Sequence, residues 1–283
     1  MEKVGILGPK GTHSEEAALW LKKFLRRDWR WEICADIFDV LTAVKERRLD
    51  AGLVPVENSL EGSINITLDT LARSDTLTVA RELVWKVRNF LMTRPTAEIQ
   101  AVTKIFSHAQ PLSQCRKFLQ KNFPDAEIVA TTSTARAAEI VAASDENFAA
   151  ICTERAGKLN GLTVAAKNIQ DNPNNSTRFF EIRYRPRDAA PIETFDGDKV
   201  LIICQIDGSR AGSLCDVLNE FAKRGVNMTR IESRPARTIL GAYIFFFDLE
   251  TDAGDDALRD AIKAVYDKSI WLKNLGVFPV VSA

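Results

Sequence analysis

Thr177, Arg178 and Phe179 place a hydroxyl, a guanidinium and an aromatic ring in successive positions of the chain. A turn-rich run of Asp, Asn and Pro over residues 171–175 comes before them, and an apolar alternation typical of a strand comes after them. A junction between a loop and a strand is a place where a rigid scaffold presents reactive groups. The same pattern also fits a turn with a surface ion pair, so the rest of the chain has to decide between these roles.

Gly11 and Thr12 lie between a predicted strand at residues 4–7 and a predicted helix that begins near Ala17. Backbone N–H groups at the start of a helix can face an anion, and the helix dipole favours negative charge there. The segment has neither the lysine of a P-loop nor the GxGxxG spacing of a dinucleotide site. We therefore expect a small carboxylate here, although Thr12 and Glu15 also fit a capping box.

Polar side chains follow three more predicted strands, at the point where each strand ends. In open α/β sheets this edge binds ligands. Each group alone also fits a plain turn or a helix N-cap, but several of them at one edge would line a polar cleft between two lobes. The residues are Glu57, Asn58 and Ser59 after residues 51–56, Ser107, His108 and Gln110 after residues 104–106, and Ser133 and Thr134 after residues 127–130.

The composition is that of a soluble globular protein with room for two domains. The chain has 283 residues, 46% of them hydrophobic, and its 38 basic and 38 acidic side chains cancel. A balanced charge predicts binding neither to nucleic acid nor to an anionic membrane. No apolar run approaches the roughly 20 residues of a membrane span, and no signal-peptide core precedes the strand at Val4. We expect a cytoplasmic protein.

Cysteine and histidine usage argues against metal or disulfide chemistry. The five cysteines are odd in number, widely spaced and without a CxxC pair, and the chain has two histidines. We therefore predict no metal site.

The C-terminal part of the chain predicts a separate small domain. Two prolines among small and charged residues mark a linker, which we place at residues 188–197. Residues 198–283 then predict the order strand, helix, strand, strand, helix, strand, with Gly225 at the end of the first helix. This is the ferredoxin-like arrangement. A domain of this kind fits a regulatory module, and it also fits a structural or dimerising domain.

Taken together, these segments resemble those of a prephenate dehydratase with a C-terminal ACT domain. The resemblance covers nearly the whole sequence, and the motifs occur in the family's order. They are residues 8–14, residues 55–59 with Gly62, residues 107–110, 114–116 and 175–179, and in the ACT part residues 212–215 and 232–235.

The resemblance implies a two-lobed, periplasmic-binding-protein-like α/β catalytic domain over residues 1–187, followed by the ferredoxin-like (βαββαβ) ACT domain. Lobe one would hold about residues 1–80 plus 165–187, and lobe two about residues 81–164. It further implies a hydro-lyase that converts prephenate to phenylpyruvate, water and carbon dioxide in phenylalanine biosynthesis, without a cofactor. Phenylalanine would bind the ACT domain as effector, and the assembly would be a homodimer or homotetramer through both domains.

Residue by residue, the family's essential threonine corresponds to Thr177. We expect Thr177 to act with Asn58, Ser59 or a bound water. The residues expected to bind substrate are Arg178, Phe179, Thr12, Gly11, Glu57, Ser107, His108, Gln110, Ser133 and Thr134; Glu57 also fits a role in orienting Arg178. The residues expected to bind the effector are Gly212, Ser213, Leu214, Cys215, Asn227, Glu232, Ser233, Arg234 and Pro235.

Some positions depart from the family pattern, and three alternatives stay open. His13 stands where the family usually has Phe or Tyr, Ala109 replaces a Pro, and Ser213 and Cys215 replace Ala and Val. The substrate could be arogenate, which differs from prephenate by an amine in place of a keto group. Two lobes around a cleft also describe solute-binding proteins, and an ACT domain also occurs in non-catalytic regulators that bind amino acids.

Overall fold

Strands and helices alternate over the first 187 residues, as the sequence predicts. The computed structural model describes residues 1–190, 192, 195–252 and 254–283. The strands of this half are β1 (Glu2–Leu7), β2 (Trp29–Cys34), β3 (Ala51–Asn58), β4 (Gly62–Ser63), β5 (Leu77–Lys86), β6 (Phe90–Thr93), β7 (Lys104–His108), β8 (Glu127–Thr131), β9 (Phe148–Cys152), β10 (Thr163–Ala166) and β11 (Ser176–Tyr184). The helices are α1 (His13–Leu25), α2 (Ile37–Lys45), α3 (Asn65–Arg73), α4 (Ala109–Gln114), α5 (Arg116–Asn122), α6 (Thr134–Ala143) and α7 (Glu154–Leu159), with a 3₁₀ turn at Ile99–Ala101.

The central strand of the first sheet is β11, which pairs antiparallel with β3 on one side and β5 on the other. The sheet continues from β3 through β1 to β2, and β4 adds to β3. Phe179 packs on the face that α1 covers, whereas Phe180 packs on the opposite face with α2 and α3. Because successive side chains of a strand point to opposite faces, Thr177 and Arg178 also lie on opposite faces of this sheet.

Helix α2 shows how local sequence places one of these layers. Asp36 caps it, since its Oδ1 accepts a hydrogen bond from Asp39 N at 2.8 Å, a contact that contributes about 1 kcal/mol. Its buried face includes Val40 and Val44 and packs directly on the sheet. A Cβ at Gly52 would lie 2.6 Å from Val40 Cγ1, so this close approach requires glycine.

The second sheet builds lobe two, in the order β10-β6-β9-β7-β8. The strand pairing in the two sheets places both boundaries between the lobes at other residues than the sequence predicted. β5 belongs to the first sheet up to Lys86, so lobe one extends past residue 80. β10 at residues 163–166 pairs with β6, so lobe two extends past residue 164. Both shifts have the same cause, because a strand belongs to the lobe whose sheet it completes.

The third sheet confirms the predicted βαββαβ order. It contains β12 (Lys199–Ile206), β13 (Met228–Pro235), β14 (Tyr243–Glu250) and β15 (Ser269–Phe278), in the order β13-β14-β12-β15. Helices α8 (Ser213–Ala222) and α9 (Asp255–Tyr266) cover one face, where Phe221 and Phe247 pack together.

The other face of the third sheet packs on lobe one rather than facing solvent. Ile203, Phe246 and Phe278 join the buried cluster that contains Phe180 and α2. The last strand, β16 (Val280–Ser282), leaves the third sheet and pairs parallel with β5. The C-terminal tail therefore belongs to lobe one, which corrects the predicted domain of residues 198–283. The ACT-like unit and lobe one share one buried apolar cluster, in addition to the cluster that each has of its own.

Candidate active site

A cavity of about 440 Å³ lies between the two lobes, where the ends of several strands meet. Lobe one contributes the segment before α1 and the ends of β3 and β11, and lobe two contributes the starts of α4 and α6. Of the residues proposed from the sequence, eight line it: Thr12, Asn58, His108, Gln110, Ser133, Thr134, Thr177 and Phe179.

Near the start of β11, Thr177 pairs with Asn58 of the neighbouring strand β3. Asn58 Nδ2 lies 3.0 Å from Thr177 Oγ1 and 2.9 Å from Asn175 Oδ1. The orientation of the Asn58 amide is set from its other end, because Oδ1 accepts the backbone N–H groups of Leu60 and Glu61 at 3.0 and 3.2 Å. Asn58 is therefore the donor in the bond to Thr177, which leaves the threonine's own proton available for a ligand.

This network crosses from lobe one to lobe two. Asn175 is fully buried, and its Nδ2 donates to Gln114 Oε1 at 3.0 Å. Gln114 Nε2 is buried beside the cavity and has no hydrogen-bond partner within the described part of the chain. A polar atom of this kind, buried against a cavity, is suited to bind a ligand.

The helix starts contribute in different ways. The Thr12 side chain donates to Leu7 O at 3.3 Å instead of capping α1. The predicted capping box is therefore wrong: Glu15 accepts from Gly11 N instead of reaching back to Thr12. Ser133 does cap α6, because its Oγ accepts from Arg136 N at 3.0 Å.

Arg178 does not reach the cavity, which corrects its predicted role as a substrate ligand. Its guanidinium lies on the opposite face of the sheet, where Nη1 donates to Glu57 at 2.7 Å, Nε to Glu82 at 3.0 Å, and Nη2 to Asp248 at 2.5 Å. Glu57 lies on the same face and pairs with Arg178, as its alternative interpretation supposed. The physical reason is the alternation of side chains along β11 and β3.

Three other predicted site residues have structural partners instead. The Gly11 carbonyl accepts from Thr153 Oγ1 at 2.6 Å, which joins the two lobes. Ser107 is fully buried and donates to Ile151 O at 2.6 Å. Ser59 Oγ accepts from Ser176 N at 3.0 Å and so holds the loop before β11. None of the three lines the cavity in the described part of the chain.

Among the cavity residues that were absent from the predicted site, two carry buried polar groups from different lobes. His13 and Asn89 line the cavity side by side, and neither side chain makes a hydrogen bond of normal geometry within the described residues. Burial lowers the pKa of His13 to about 4, against a smaller opposing effect of Asn89, so the imidazole is neutral at pH 7. His13 stood out in the sequence only as a departure from the family, and Asn89 gave no signal.

The charge of the cavity is low. Among the described residues that line it, none is Lys or Arg, and only Glu61 has a carboxylate. An anion at this site would be held by neutral donors and by the start of α1. No cluster of His, Cys, Asp and Glu suited to a metal ion occurs in the described ranges. Those ranges also contain no helix with the length and apolar character of a membrane span.

The predicted effector residues separate into two groups. Gly212, with a φ of 84°, starts α8, and Ser213, Leu214 and Cys215 form its first turn. Residues of β13 alternate, so Ser233 and Pro235 face away from lobe one. Glu232 and Arg234 face lobe one, where they bond Ser63 and Asp69. Asn227 precedes β13 and donates to Glu250. Glu232 and Arg234 are therefore interdomain residues, which corrects their predicted role.

Comparison with known proteins agrees with this architecture. The prephenate dehydratase family model matches residues 4–187, and the ACT domain model matches residues 201–265. The chain belongs to the prephenate dehydratase family. The bifunctional chorismate mutase/prephenate dehydratase of Aquifex aeolicus is 38% identical over 98% of this chain and 73% of its own length. The family resemblance and the fold predicted from the sequence are thus confirmed.

Two solved structures share the fold of this family member over nearly the whole chain. The prephenate dehydratase of Arthrobacter aurescens in complex with L-Phe is 33% identical, with a TM-score of 0.86, and the match covers 98% of this chain and 90% of that one. GqqA, described as a novel type of quorum quenching acylase, is 25% identical, with a TM-score of 0.85, over 99% and 98% of the two chains.

Proposed function

We propose that this protein converts prephenate to phenylpyruvate, water and carbon dioxide, as a prephenate dehydratase with a C-terminal ACT regulatory domain. The observation that carries the proposal is the pair Thr177–Asn58 at the mouth of the cavity between the lobes of a family member. The hydroxyl of Thr177 accepts from Asn58 and donates to no protein group in the described chain, so its proton can point at a substrate.

The reaction needs a donor more than it needs a base. The bond between the ring and its carboxylate breaks, and its electron pair completes the aromatic ring as the ring hydroxyl departs. The departing oxygen takes up a proton and leaves as water, while the carboxylate leaves as carbon dioxide. Thr177 stabilises the developing charge on that oxygen by a hydrogen bond. An alkanol is too weak an acid to supply the proton alone, so Thr177 acts as a hydrogen-bond donor, and the proton that turns the departing hydroxide into water comes from the solvent.

The two carboxylates of prephenate are held without a cation from the cavity wall. The start of α1 offers backbone N–H groups around His13 and Ser14, and its dipole favours an anion. Gln114 Nε2 and the hydroxyl of Thr134 supply neutral donors from lobe two. Phe179 and Pro55 give an apolar wall for the ring. The apolar part of this wall also favours loss of charge as carbon dioxide forms.

Phenylalanine binds the ACT domain in this proposal, supported by the L-Phe complex of the Arthrobacter aurescens relative. The first turn of α8 and the outward residues of β13, Ser233 and Pro235, form the effector site. Strand β13 is an edge of the third sheet, with Ile231 44% exposed and Leu240 fully exposed beside it. Such an edge pairs readily with a second copy, so we place a homodimer contact there, with a homotetramer as the alternative. We also propose that the enzyme is cytoplasmic.

The test is an assay of the purified protein on prephenate and on arogenate, each with and without phenylalanine. Formation of phenylpyruvate from prephenate supports the proposal, and a preference for arogenate would change the substrate but keep the chemistry. If the protein formed neither phenylpyruvate from prephenate nor phenylalanine from arogenate, the proposal would be overturned. Release of a carboxylic acid from an N-acyl substrate, with no reaction on prephenate or arogenate, would assign the activity named for GqqA instead.

A further inference from the structure

The ACT domain contacts the back of the two strands that carry Thr177 and Asn58. On β11, Thr177 faces the cavity and Arg178 faces the third sheet; on β3, Asn58 and Glu57 do the same. Each cavity residue is thus joined by one peptide bond to a residue of the domain interface. A shift of the interface pair moves the cavity pair with it.

Arg178 connects the two domains through ion pairs with three carboxylates, those of Glu57, Glu82 and Asp248. Its Nε and Nη2 form a fork on Glu82 of β5 at 3.0 and 2.6 Å, and Nη2 also bonds Asp248 of β14 at 2.5 Å. Glu82 further accepts from Lys199 of β12 at 3.2 Å. A planar guanidinium held at several of its N–H groups has one orientation, so Asp248 fixes where Arg178 lies together with Glu57 and Glu82, and Lys199 acts through Glu82.

A second link leads from the ACT domain to the cavity wall. Arg230 of β13 lies 3.3 Å from Glu57 through Nε, and its Nη2 donates to Ser63 Oγ at 2.7 Å. Ser63 in turn donates to Glu232 at 2.9 Å, and Ser63 lines the cavity. Glu57 is therefore held between Arg178 on its own lobe and Arg230 on the ACT domain.

Burial makes this cluster resistant to rearrangement. The side chains of Asp248 and Glu82 are each 1% exposed, and that of Arg230 is 11% exposed. Separating one partner would leave a buried charge uncompensated. Any movement of the third sheet relative to lobe one must therefore carry Arg178 and Glu57 along, because breaking their contacts is the costlier alternative.

We propose that Asp248 and Arg230 of the ACT domain are positioning residues for the Thr177–Asn58 pair, acting through Arg178 and Glu57. The inference rests on the proposed function of Thr177, and it names the route by which the ACT domain reaches the reaction. Misplacement of a reacting group by about 1 Å costs on the order of 100-fold in rate. A small rotation of the ACT sheet is thus sufficient to change turnover.

The same route accounts for control by an effector. A ligand that prefers one arrangement of the ACT domain shifts the protein toward it. Because the ACT sheet and the β3–β11 pair share this ion cluster, that arrangement also sets the distance from Thr177 to a substrate. The effect should fall on turnover more than on substrate affinity, since the groups of lobe two and the start of α1 do not touch the cluster.

The test compares Asp248→Asn with Asp69→Asn in the full-length protein. Both changes remove one charge without changing shape, and both acids join the domains, because Asp69 of α3 binds Arg234 and Arg237. Asp69 pairs with Arg234 and Arg237 and with neither Arg178 nor Glu57 in the described chain, so it is the control. We expect Asp248→Asn to lower kcat by about tenfold or more with KM within about twofold, and to lose the phenylalanine response. Asp69→Asn should stay within about twofold of wild type in both constants.

Amide hydrogen exchange supplies a readout that does not depend on the reaction. Peptides over residues 52–60 and 174–182 should exchange faster in Asp248→Asn, but not in Asp69→Asn. If Asp248→Asn does not fold, Arg230→Lys replaces it, because it keeps the charge beside Glu57 and loses the bond to Ser63. A folded variant with wild-type kcat, phenylalanine response and exchange would overturn the proposal. If the wild type acts on neither substrate, the proposed function fails, and the exchange result alone decides the positioning claim.

Discussion

Asn58 donates a hydrogen bond to Thr177 over 3.0 Å, and not the reverse. The direction follows from the two backbone N–H groups that hold the Asn58 carbonyl oxygen. Because a hydroxyl has one proton, accepting from Asn58 leaves that proton for a substrate. The pair is therefore a preset hydrogen-bond donor aimed into the cavity, formed by two residues 119 positions apart in the chain.

Asn58→Asp should reverse the hydrogen bond between residue 58 and Thr177 while keeping the shape of the side chain. One oxygen would still accept the N–H groups of Leu60 and Glu61, but the other would accept the Thr177 proton. We expect kcat to fall by roughly 100-fold, as for loss of one preset donor, and KM to rise as well, because the new carboxylate lies in the cavity that would hold a doubly negative substrate. Steady-state kinetics measure this, and Asn58→Ala, which leaves the Thr177 proton unbound, should retain more activity. Equal activity of Asn58→Asp and wild type would contradict the assignment.

Arg178→Met should reduce stability, because it leaves Asp248 buried without its partner and leaves Glu82 with Lys199 alone. Breaking a buried pair in this way costs about 3–5 kcal/mol, measured as the free energy of unfolding in denaturant. Arg183→Met on the same strand is the control and should cost less, since its partner Glu181 keeps Arg81. A variant with unchanged stability and a strongly raised KM would instead make Arg178 a substrate ligand.

His13→Phe should flatten the dependence of stability on pH in the acidic range. The pKa of His13 is about 4 in the folded protein because of burial, against 6.5 for the ordinary side chain. Between these values the unfolded chain binds more protons, so stability is lost as pH falls from about 6.5 to 4, and the group contributes nothing above that window. The full effect is on the order of 3 kcal/mol.

The measurement for His13 is the difference between the unfolding free energies of variant and wild type at several pH values. Only the difference is informative, because burial also raises the pKa of Glu16, which titrates nearby with the opposite sign. We expect His13→Phe to gain stability relative to wild type as pH falls below 6. A constant difference across that range would show that His13 titrates normally in the folded protein.

The sequence predicted the elements and the edge at which the site lies, because strand and helix patterns are local. The βαββαβ unit and the position of Thr177 at a strand start both followed from apolar periodicity and turn residues. The sequence did not predict which face of the sheet each of these side chains would occupy. Thr177 and Arg178 are adjacent in the sequence, and only the register with β3 shows that one faces the cavity and the other the ACT domain.

Apart from the local capping box at Thr12 and Glu15, the remaining errors concern long-range partners. Asp248 lies 70 residues from Arg178 in the sequence, and no local pattern predicts that ion pair. Residues 280–282 resemble a continuation of the strand before them, yet they complete the sheet of lobe one because β5 offers a free edge there. Asn89 follows a long strand without any turn motif, so its place at the cavity depends on how the lobes close.

The most direct test of the account is the turnover number of Thr177→Ala and Thr177→Ser on prephenate, beside wild type, with each variant checked for folding by circular dichroism. We expect Thr177→Ala to lose roughly 100- to 1000-fold in kcat and Thr177→Ser, which keeps the hydroxyl, to retain much of it. A folded Thr177→Ala with near-normal turnover would contradict the central claim.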